Sequence, residues 1–242
     1  MIVDILTLFP EMFSGLESSI VKRAADKQII TIRLHNFRHF SKKKSLQVDD
    51  YSYGGGAGMV ISVEPLVACL RSIAGYEQAH KILTSPIGPI YKQAKASQLA
   101  HYNHLIIICG HYEGIDERIL NYVDEVVSIG DFILTGGELV AMMIVDSIVR
   151  LLPDALGNNQ SLTTESFQER LLEYPQYTRP ECFETYRVPE VLMSGDHEKI
   201  RQYRRFKALE RTYRLRPDLL AEASLTEEDL KWLNKIKQGE TL

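Results

Sequence analysis

The side chains best suited to chemistry lie in two glycine-rich segments near the middle of the chain. Segment 110–114 places a histidine, a tyrosine and a glutamate between two glycines, and segment 135–138 places two glycines between a threonine and a glutamate. Thr135 and Glu138 have the spacing of a capping box, which predicts a helix N-terminus with free amide donors. Such an end binds anionic or carbonyl groups, so we expect a small ligand bearing one of them.

Buried strands are needed to position these segments. Three apolar runs have the composition of strands that are covered on both faces: 81–84, 104–110 and 125–134. A strongly apolar helix is predicted at 139–152. Since strands alternate with helices, the sequence predicts an α/β fold with a parallel sheet of about five strands. The strand ends near Ser85, Gly110 and Gly130 should then lie together around the ligand.

Composition narrows the class of protein. The chain has 242 residues, a formal net charge of −4 and no apolar run long enough to span a bilayer. Residues 1–9 resemble a first core strand instead of a cleavable leader, which predicts a cytoplasmic protein with no membrane partner. The three cysteines are far apart and the seven histidines form no HExxH pattern. These features argue against a disulfide framework and a zinc site, and we assign no metal ligands.

The basic residues are concentrated near the C-terminus. Between 199 and 216 the chain has eight lysines and arginines against Glu210 alone, a local charge of +7. Tyr203, Phe206 and Tyr213 are interleaved with them, as in surfaces that bind phosphates and stacked bases. The pattern favours nucleic acid as a partner, although a solvated helix face has a similar composition.

Two further segments help to define the organisation. The glycines at 54–58 do not form a dinucleotide fingerprint because position 59 is methionine. They indicate either a flexible surface loop or backbone close to a ligand. Residues 156–168 are polar and aperiodic, which predicts a linker or lid. A small helical domain follows, interrupted at Pro217, with Trp232 on an apolar face.

An ordered set of motifs covers nearly the whole chain, and together they resemble the bacterial tRNA (guanine-N1-)-methyltransferases. This family belongs to the SPOUT class of S-adenosylmethionine-dependent enzymes. The matching segments are 6–13, 48–50, 53–56, 109–114, 116–118, 128–131, 134–138, 175–180 and 191–195.

The resemblance implies an architecture that spacing alone does not show. We expect an α/β fold with a parallel-sheet SPOUT domain at 1–157, containing a deep C-terminal trefoil knot. A flexible linker or lid is expected at 158–168 and a small α-helical, tRNA-binding domain at 169–242. The family works as a homodimer with its active sites at the subunit interface.

The resemblance also implies the reaction. The family transfers the methyl group of S-adenosyl-L-methionine to N1 of guanine at position 37 of tRNA, 3′ of the anticodon, and its transfer is helped by Mg²⁺. The cofactor site carried over to this chain is Leu83, Thr84, Ser85, Pro86, Gly110, Tyr112, Glu113, Gly114, Ile129, Gly130, Phe132, Leu134, Gly136 and Gly137.

Two catalytic residues are carried over in the same way. The family's arginine falls on Arg150, for which a salt bridge to Asp146 is the structural alternative. The expected aspartate base falls on Glu165, one methylene longer, for which a solvated loop carboxylate is the alternative. This departure leaves two other functions open: a tRNA-binding paralogue with weak or no catalysis, and a SPOUT ribose 2′-O-methyltransferase.

Overall fold

The computed structural model describes residues 1–156, 165–167 and 169–240. The chain divides into two compact units, Met1–Gly157 and Asn158–Leu242. The strands are β1 (Ile2–Thr7), β2 (Thr31–Asn36), β3 (Asp49–Asp50), β4 (Val60–Ile61), β5 (His80–Thr84), β6 (His104–Cys109), β7 (Glu125–Val127), β8 (Cys182–Phe183) and β9 (Tyr186–Arg187). The α-helices are α1 (Ser19–Asp26), α2 (Val63–Ser72), α3 (Gln93–Leu99), α4 (Glu138–Val149), α5 (His197–Leu215), α6 (Pro217–Leu220) and α7 (Glu227–Gln238). Short 3₁₀ helices lie at Pro10–Glu17, Phe37–Phe40, Glu117–Tyr122 and Glu190–Met193.

The first unit is built on a five-stranded sheet in the order β2-β1-β6-β5-β7. Its neighbouring strands are all parallel, which confirms the predicted α/β fold class and sheet. Both faces are covered because side chains alternate along each strand. Ile107 of β6 packs in a cluster with α4, whereas its neighbours Ile106 and Ile108 pack in the cluster that contains α2. The sheet is therefore rigid, and the loops at its carboxyl edge have a fixed base.

Two predicted elements around the site are wrong in detail. The run at 125–134 forms a strand only over Glu125–Val127, and Gly130 lies at φ 156°, a conformation that interrupts an extended strand. The predicted capping box is also absent. Gly137 occupies the N-cap position of α4 without a side-chain cap, and the Glu138 carboxylate accepts a hydrogen bond from Thr7 instead. Residues 128–137 are thereby available to form a loop beside β5 and β6.

The second unit has a small helical core. Phe206 and Leu209 of α5 pack with Trp232, Leu233 and Ile236 of α7. Helix α7 begins with a complete capping box between Thr226 and Asp229. The predicted break at Pro217 is confirmed, since α5 ends at Leu215 and α6 begins at the proline. Most of the predicted lid at 158–168 lies outside the described residues. No helix of the described ranges is long and apolar enough to cross a membrane.

Candidate active site

Three loops that follow β5, β6 and β7 surround a cavity of about 410 Å³. It lies at the carboxyl edge of the sheet, where an open α/β fold binds its ligand. Thirteen of the fourteen residues carried over as the cofactor site line this cavity, and Gly130 is the exception. Gly130 lies in the same loop, and a Cβ there would come within 2.6 Å of the Phe132 ring, which does line the cavity. The three predicted loops are thus brought together.

Two glycines hold the loops close to one another. A Cβ on Gly137 would lie 2.0 Å from Thr84 Oγ1 and 2.9 Å from the Gly110 nitrogen. The Gly137 amide donates a hydrogen bond to the Gly110 carbonyl oxygen at 2.8 Å. A side chain at position 137 would therefore separate the loops that follow β5 and β6.

The last glycine of segment 54–58 lies next to a residue of the site. Gly58 lies at φ 80°, and a Cβ there would be 2.3 Å from Glu113 Cγ. The Glu113 amide also donates to the Met59 carbonyl oxygen at 3.2 Å. Gly58 therefore fits the interpretation of backbone close to the site, whereas Gly54 and Gly55, where a Cβ would meet nothing within 4 Å, fit the interpretation of a surface loop.

Several residues of the cavity were not assigned to the cofactor site from the sequence. They have aliphatic, imidazole or hydroxyl side chains, and the fold brings them to the cavity from separate parts of the sequence. They include Ile87, His111, Ile115, Ser128, Ile133, Thr135 and Val140. Val140 is on α4, and periodicity alone marks it as a core residue. His111 and Thr135 lay inside the glycine-rich segments 110–114 and 135–138, and Ser128 lay in the matched motif 128–131, so these positions gave some indication.

A buried polar group lies directly behind the cavity. The Glu138 side chain is 1% exposed, and its Oε1 accepts a hydrogen bond from Thr7 Oγ1 at 2.8 Å. Its Oε2 has no hydrogen-bond partner among the described residues, and neither has Nδ1 of His111, 3.9 Å away. The negative charge of Glu138 contributes to the raised pKa of the neighbouring Cys109 thiol, for which burial is the larger cause.

The two predicted catalytic residues lie in different units. Arg150 is half-buried and directly follows α4 in the first unit. Glu165 is half-buried in the second unit, where it lines a cavity of about 520 Å³. Arg201, Arg204 and Tyr174 line the same cavity. Among the described residues, no group of three His, Cys, Asp or Glu side chains is arranged to hold a metal ion.

Carboxylates of the folded chain neutralise much of the positive charge of the basic run at 199–216. Six of its eight cations form ion pairs with carboxylates, among them Arg201 with Glu198 at 2.7 Å. Arg205 is held by Asp229, which is buried, and also contacts Glu169. The other two cations differ: Arg204 lies over the Tyr174 ring at 4.9 Å, and Arg211 donates to the Glu173 carbonyl oxygen.

Comparison with known proteins identifies the family. Residues 1–222 match the family described as tRNA (Guanine-1)-methyltransferase TrmD. A tRNA (guanine-N(1)-)-methyltransferase of Dictyoglomus turgidum is 51% identical over 98% of this chain and 96% of its own length. The enzyme of the same name from Geobacillus kaustophilus is 53% identical over 96% of this chain and 97% of its own length. The chain therefore belongs to the tRNA (guanine-N1-)-methyltransferase family.

Proposed function

We propose that this chain transfers a methyl group from S-adenosyl-L-methionine to N1 of guanine at position 37 of tRNA. The observation that carries the proposal is the cavity at the carboxyl edge of the sheet. It is lined by thirteen residues that the family resemblance assigns to the methyl donor. About half of all residues are shared with relatives named for this reaction over nearly the whole chain.

The cavity has the properties that this donor requires. Its volume of about 410 Å³ falls within the usual range for small-molecule sites. Apolar walls at Ile87, Ile129 and Leu134 suit an adenine ring. Backbone at Gly110 and Gly136 can approach closely because neither residue has a side chain. When bound, the donor supplies an electrophilic methyl group.

The chain's own residues must then remove the proton from guanine N1. Guanine N1 is protonated at neutral pH and cannot attack until a base removes that proton. Glu165 is proposed as this base, and Arg150 as the cation that stabilises the negative charge developing at O6. A guanidinium remains charged and can donate two hydrogen bonds in a fixed geometry, which suits it to that role.

Glu165 replaces the aspartate that the resemblance leads us to expect. Its extra methylene moves the carboxylate by about 1 Å, and displacements of this size can cost on the order of 10²-fold in rate.

The finer features of the fold and assembly belong to the same proposal. The trefoil knot is proposed from the resemblance alone, and segment 128–137, which it would involve, is hydrogen-bonded to neighbouring loops from Ser128 N to Pro89 O and from Gly137 N to Gly110 O. A homodimer is supported by Leu139 and Met143 of α4, which are 46% and 52% exposed although the helix is largely buried. A cytoplasmic location and assistance by Mg²⁺ remain predictions from the resemblance.

The helical unit is proposed to bind tRNA, and the structure separates two neighbouring arginines. Arg204 is exposed and stacked on Tyr174, an arrangement suited to phosphates and bases. Arg205 is held by Asp229 in the unit's core. We expect Arg204→Ala to weaken tRNA binding and reduce its salt dependence without loss of stability. Arg205→Ala should lower the melting temperature because it leaves Asp229 buried and unpaired.

Methyl transfer to defined transcripts tests the proposed function. Purified protein is incubated with labelled S-adenosylmethionine and tRNA transcripts carrying guanine or adenine at position 37. Label should enter only the guanine transcript, at N1. Transfer to a ribose would favour the 2′-O-methyltransferase, and tRNA binding without transfer would favour the non-catalytic paralogue.

The role of Glu165 has its own matched pair of variants. Glu165→Gln keeps the volume but removes the basic carboxylate, so turnover should fall at least about 10²-fold while donor affinity stays within twofold. Glu165→Asp keeps the carboxylate and should retain turnover. Equal turnover in the glutamine variant and the parent would assign the base to another residue.

A further inference from the structure

The buried Glu138 carboxylate lies next to the half-buried imidazole of His111, which lines the cavity, and the proposed reaction leaves both groups unused. We propose that Glu138 is a positioning residue for the methyl donor, acting through His111 to fix the 110–114 turn that forms one wall of the cavity. The inference rests on the proposed function, because it takes S-adenosylmethionine as the ligand of this cavity.

The Glu138 carboxylate is fixed in position, but only one of its two oxygens has a hydrogen-bond partner among the described residues. Thr7 at the end of β1 donates to Oε1, which fixes the carboxylate at the first turn of α4. Oε2 is buried without a hydrogen-bond partner in the described residues. A buried carboxylate oxygen in that state costs free energy, so a proton donor that reaches it is strongly favoured.

His111 is the donor that the structure offers. Its ring packs between Phe9 and Tyr112, with centroids 4.8 Å and 5.1 Å away. Its buried Nδ1 lies 3.9 Å from Glu138 Oε2 and also has no hydrogen-bond partner among the described residues. An approach of about 1 Å would make an N–H···O bond of ordinary length.

Gly136 makes this approach possible. A Cβ at position 136 would lie 2.3 Å from Glu138 Oε2 and 2.5 Å from His111 Nδ1. Residues 111 and 136 are also paired by an antiparallel bridge. The absence of a side chain at Gly136 therefore leaves the carboxylate and the imidazole facing each other.

The backbone that follows His111 connects its position to the wall of the cavity. Tyr112 and Glu113 follow His111 directly, both line the cavity, and Tyr112 lies at φ 59°. A non-glycine residue in this conformation is held there by its surroundings. A hydrogen bond from Nδ1–H to Glu138 would fix the imidazole tautomer and anchor the start of the turn, so the donor would meet a preformed wall.

Donor affinity measured by titration calorimetry on the full chain tests the pair. Glu138→Gln keeps the volume and the bond from Thr7 but removes the charge-assisted bond, because its NH₂ group can pair only with the opposite His111 tautomer, whose Nδ1 accepts. His111→Phe keeps a ring between Phe9 and Tyr112 but removes both nitrogens. Each variant should bind S-adenosylmethionine about tenfold more weakly, the loss expected for one charge-assisted hydrogen bond.

The combination of variants distinguishes positioning from general loss of structure. The double variant should bind no more weakly than either single one, because both remove the same interaction. His111→Asn restores a donor near the Nδ1 position and should bind within threefold of the parent. Glu125→Gln is the matched control, since Glu125 pairs with His80 at 2.8 Å at the opposite edge of the same sheet. It should leave donor affinity unchanged.

The outcomes separate this inference from the proposed function. A parent chain that binds the donor, together with Glu138→Gln and His111→Phe variants that bind equally well, would overturn the inference alone. Additive losses in the double variant would also overturn it. A parent chain that binds no donor at all would overturn the proposed function and this inference with it. Melting temperatures measured in parallel show that each variant is folded.

Discussion

The buried carboxylates at the two edges of the parallel sheet differ in how completely they are hydrogen-bonded. Near the amino edge, Asp4 is fully buried and accepts hydrogen bonds from Arg33 at 2.8 Å and from His35 and His104 at 2.6 Å each. At the carboxyl edge, Glu138 is equally buried but has one such partner among the described residues. At the amino edge, the hydrogen bonds to the Asp4 carboxylate link neighbouring strands. At the carboxyl edge, the Glu138 carboxylate lies beside the cavity, and one of its oxygens has no hydrogen-bond partner among the described residues.

Strand register accounts for the difference. Asp4 lies opposite Arg33 on β2, and His104 lies on the neighbouring strand β6, so three adjacent strands place their polar groups on one face. At the carboxyl edge the strands have ended, and partners must come from loops. Loops leave gaps that a ligand can fill, which is why binding residues are concentrated there. The comparison predicts that changes at the amino edge alter stability and changes at the carboxyl edge alter binding.

The largest expected effect is at Gly137. Gly137→Ala would place a Cβ 2.0 Å from Thr84 Oγ1 and 2.9 Å from the Gly110 nitrogen, so the loops after β5 and β6 must separate. Methyl transfer should slow at least about a hundredfold, because a displacement of about 1 Å can cost this much in rate, and donor affinity should fall with it. Calorimetric titration measures the affinity. Gly15→Ala is the control, since a Cβ there meets nothing within 4 Å.

Either of two results at Gly137 would contradict the comparison. Donor affinity that is unchanged would mean that the contact between these loops is not needed for binding. A loss as large in Gly15→Ala would mean that alanine substitution acts through general destabilisation.

The second effect, at Asp4, should appear in stability and not in binding. Asp4→Asn preserves the shape but removes the charge that satisfies Arg33, His35 and His104. Loss of one partner from a buried ion pair costs about 3–5 kcal/mol, and about 2–3 kcal/mol is expected here because Arg33 is 41% exposed. Urea unfolding measures the change, and donor affinity should stay within twofold. A binding defect comparable to that of Gly137→Ala would break the comparison.

Much of the carboxyl edge could be predicted from the sequence. Glycine and apolar runs identify strand ends locally, and the parallel α/β pattern brings those ends together. The patterns located the loops, whereas the family resemblance named the individual residues, of which thirteen of fourteen line one cavity. The strand at 125–134 was predicted too long because apolar residues in a loop around a cavity resemble those of a buried strand.

The buried polar groups could not be predicted in the same way. Asp4 and His104 are 100 residues apart in sequence, and Thr7 and Glu138 are 131 apart. Their pairing depends on strand register and strand order, which no local pattern specifies. The capping-box prediction failed because α4 begins two residues later than expected, with Gly137 at the N-cap position, and the Glu138 carboxylate accepts from the distant Thr7. The basic run likewise gave no sign that Asp229 would hold Arg205 in the core.

The smallest expected effect is a pH dependence that belongs to the amino edge. Burial by itself would raise the pKa of Asp4, but the hydrogen bonds from His35, His104 and Arg33 outweigh it and lower the pKa below its usual value. A carboxyl group with a lowered pKa stabilises the folded state above its unfolded pKa of about 4, and this contribution is lost as the pH falls.

Comparison of the parent with Asp4→Asn isolates this contribution. Burial and the charge of Asp4 raise the pKa of the nearby Cys69 thiol to about 12, so Cys69 stays neutral throughout. The parent's advantage in free energy of unfolding should therefore shrink as the pH falls below about 4, where the Asp4 carboxyl group of the unfolded chain becomes protonated while that of the folded protein is still charged. Urea unfolding at each pH measures it. An advantage that persists undiminished at about pH 3 would show that the carboxylate's charge does not stabilise this edge, and the contrast with Glu138 would then rest on shape alone.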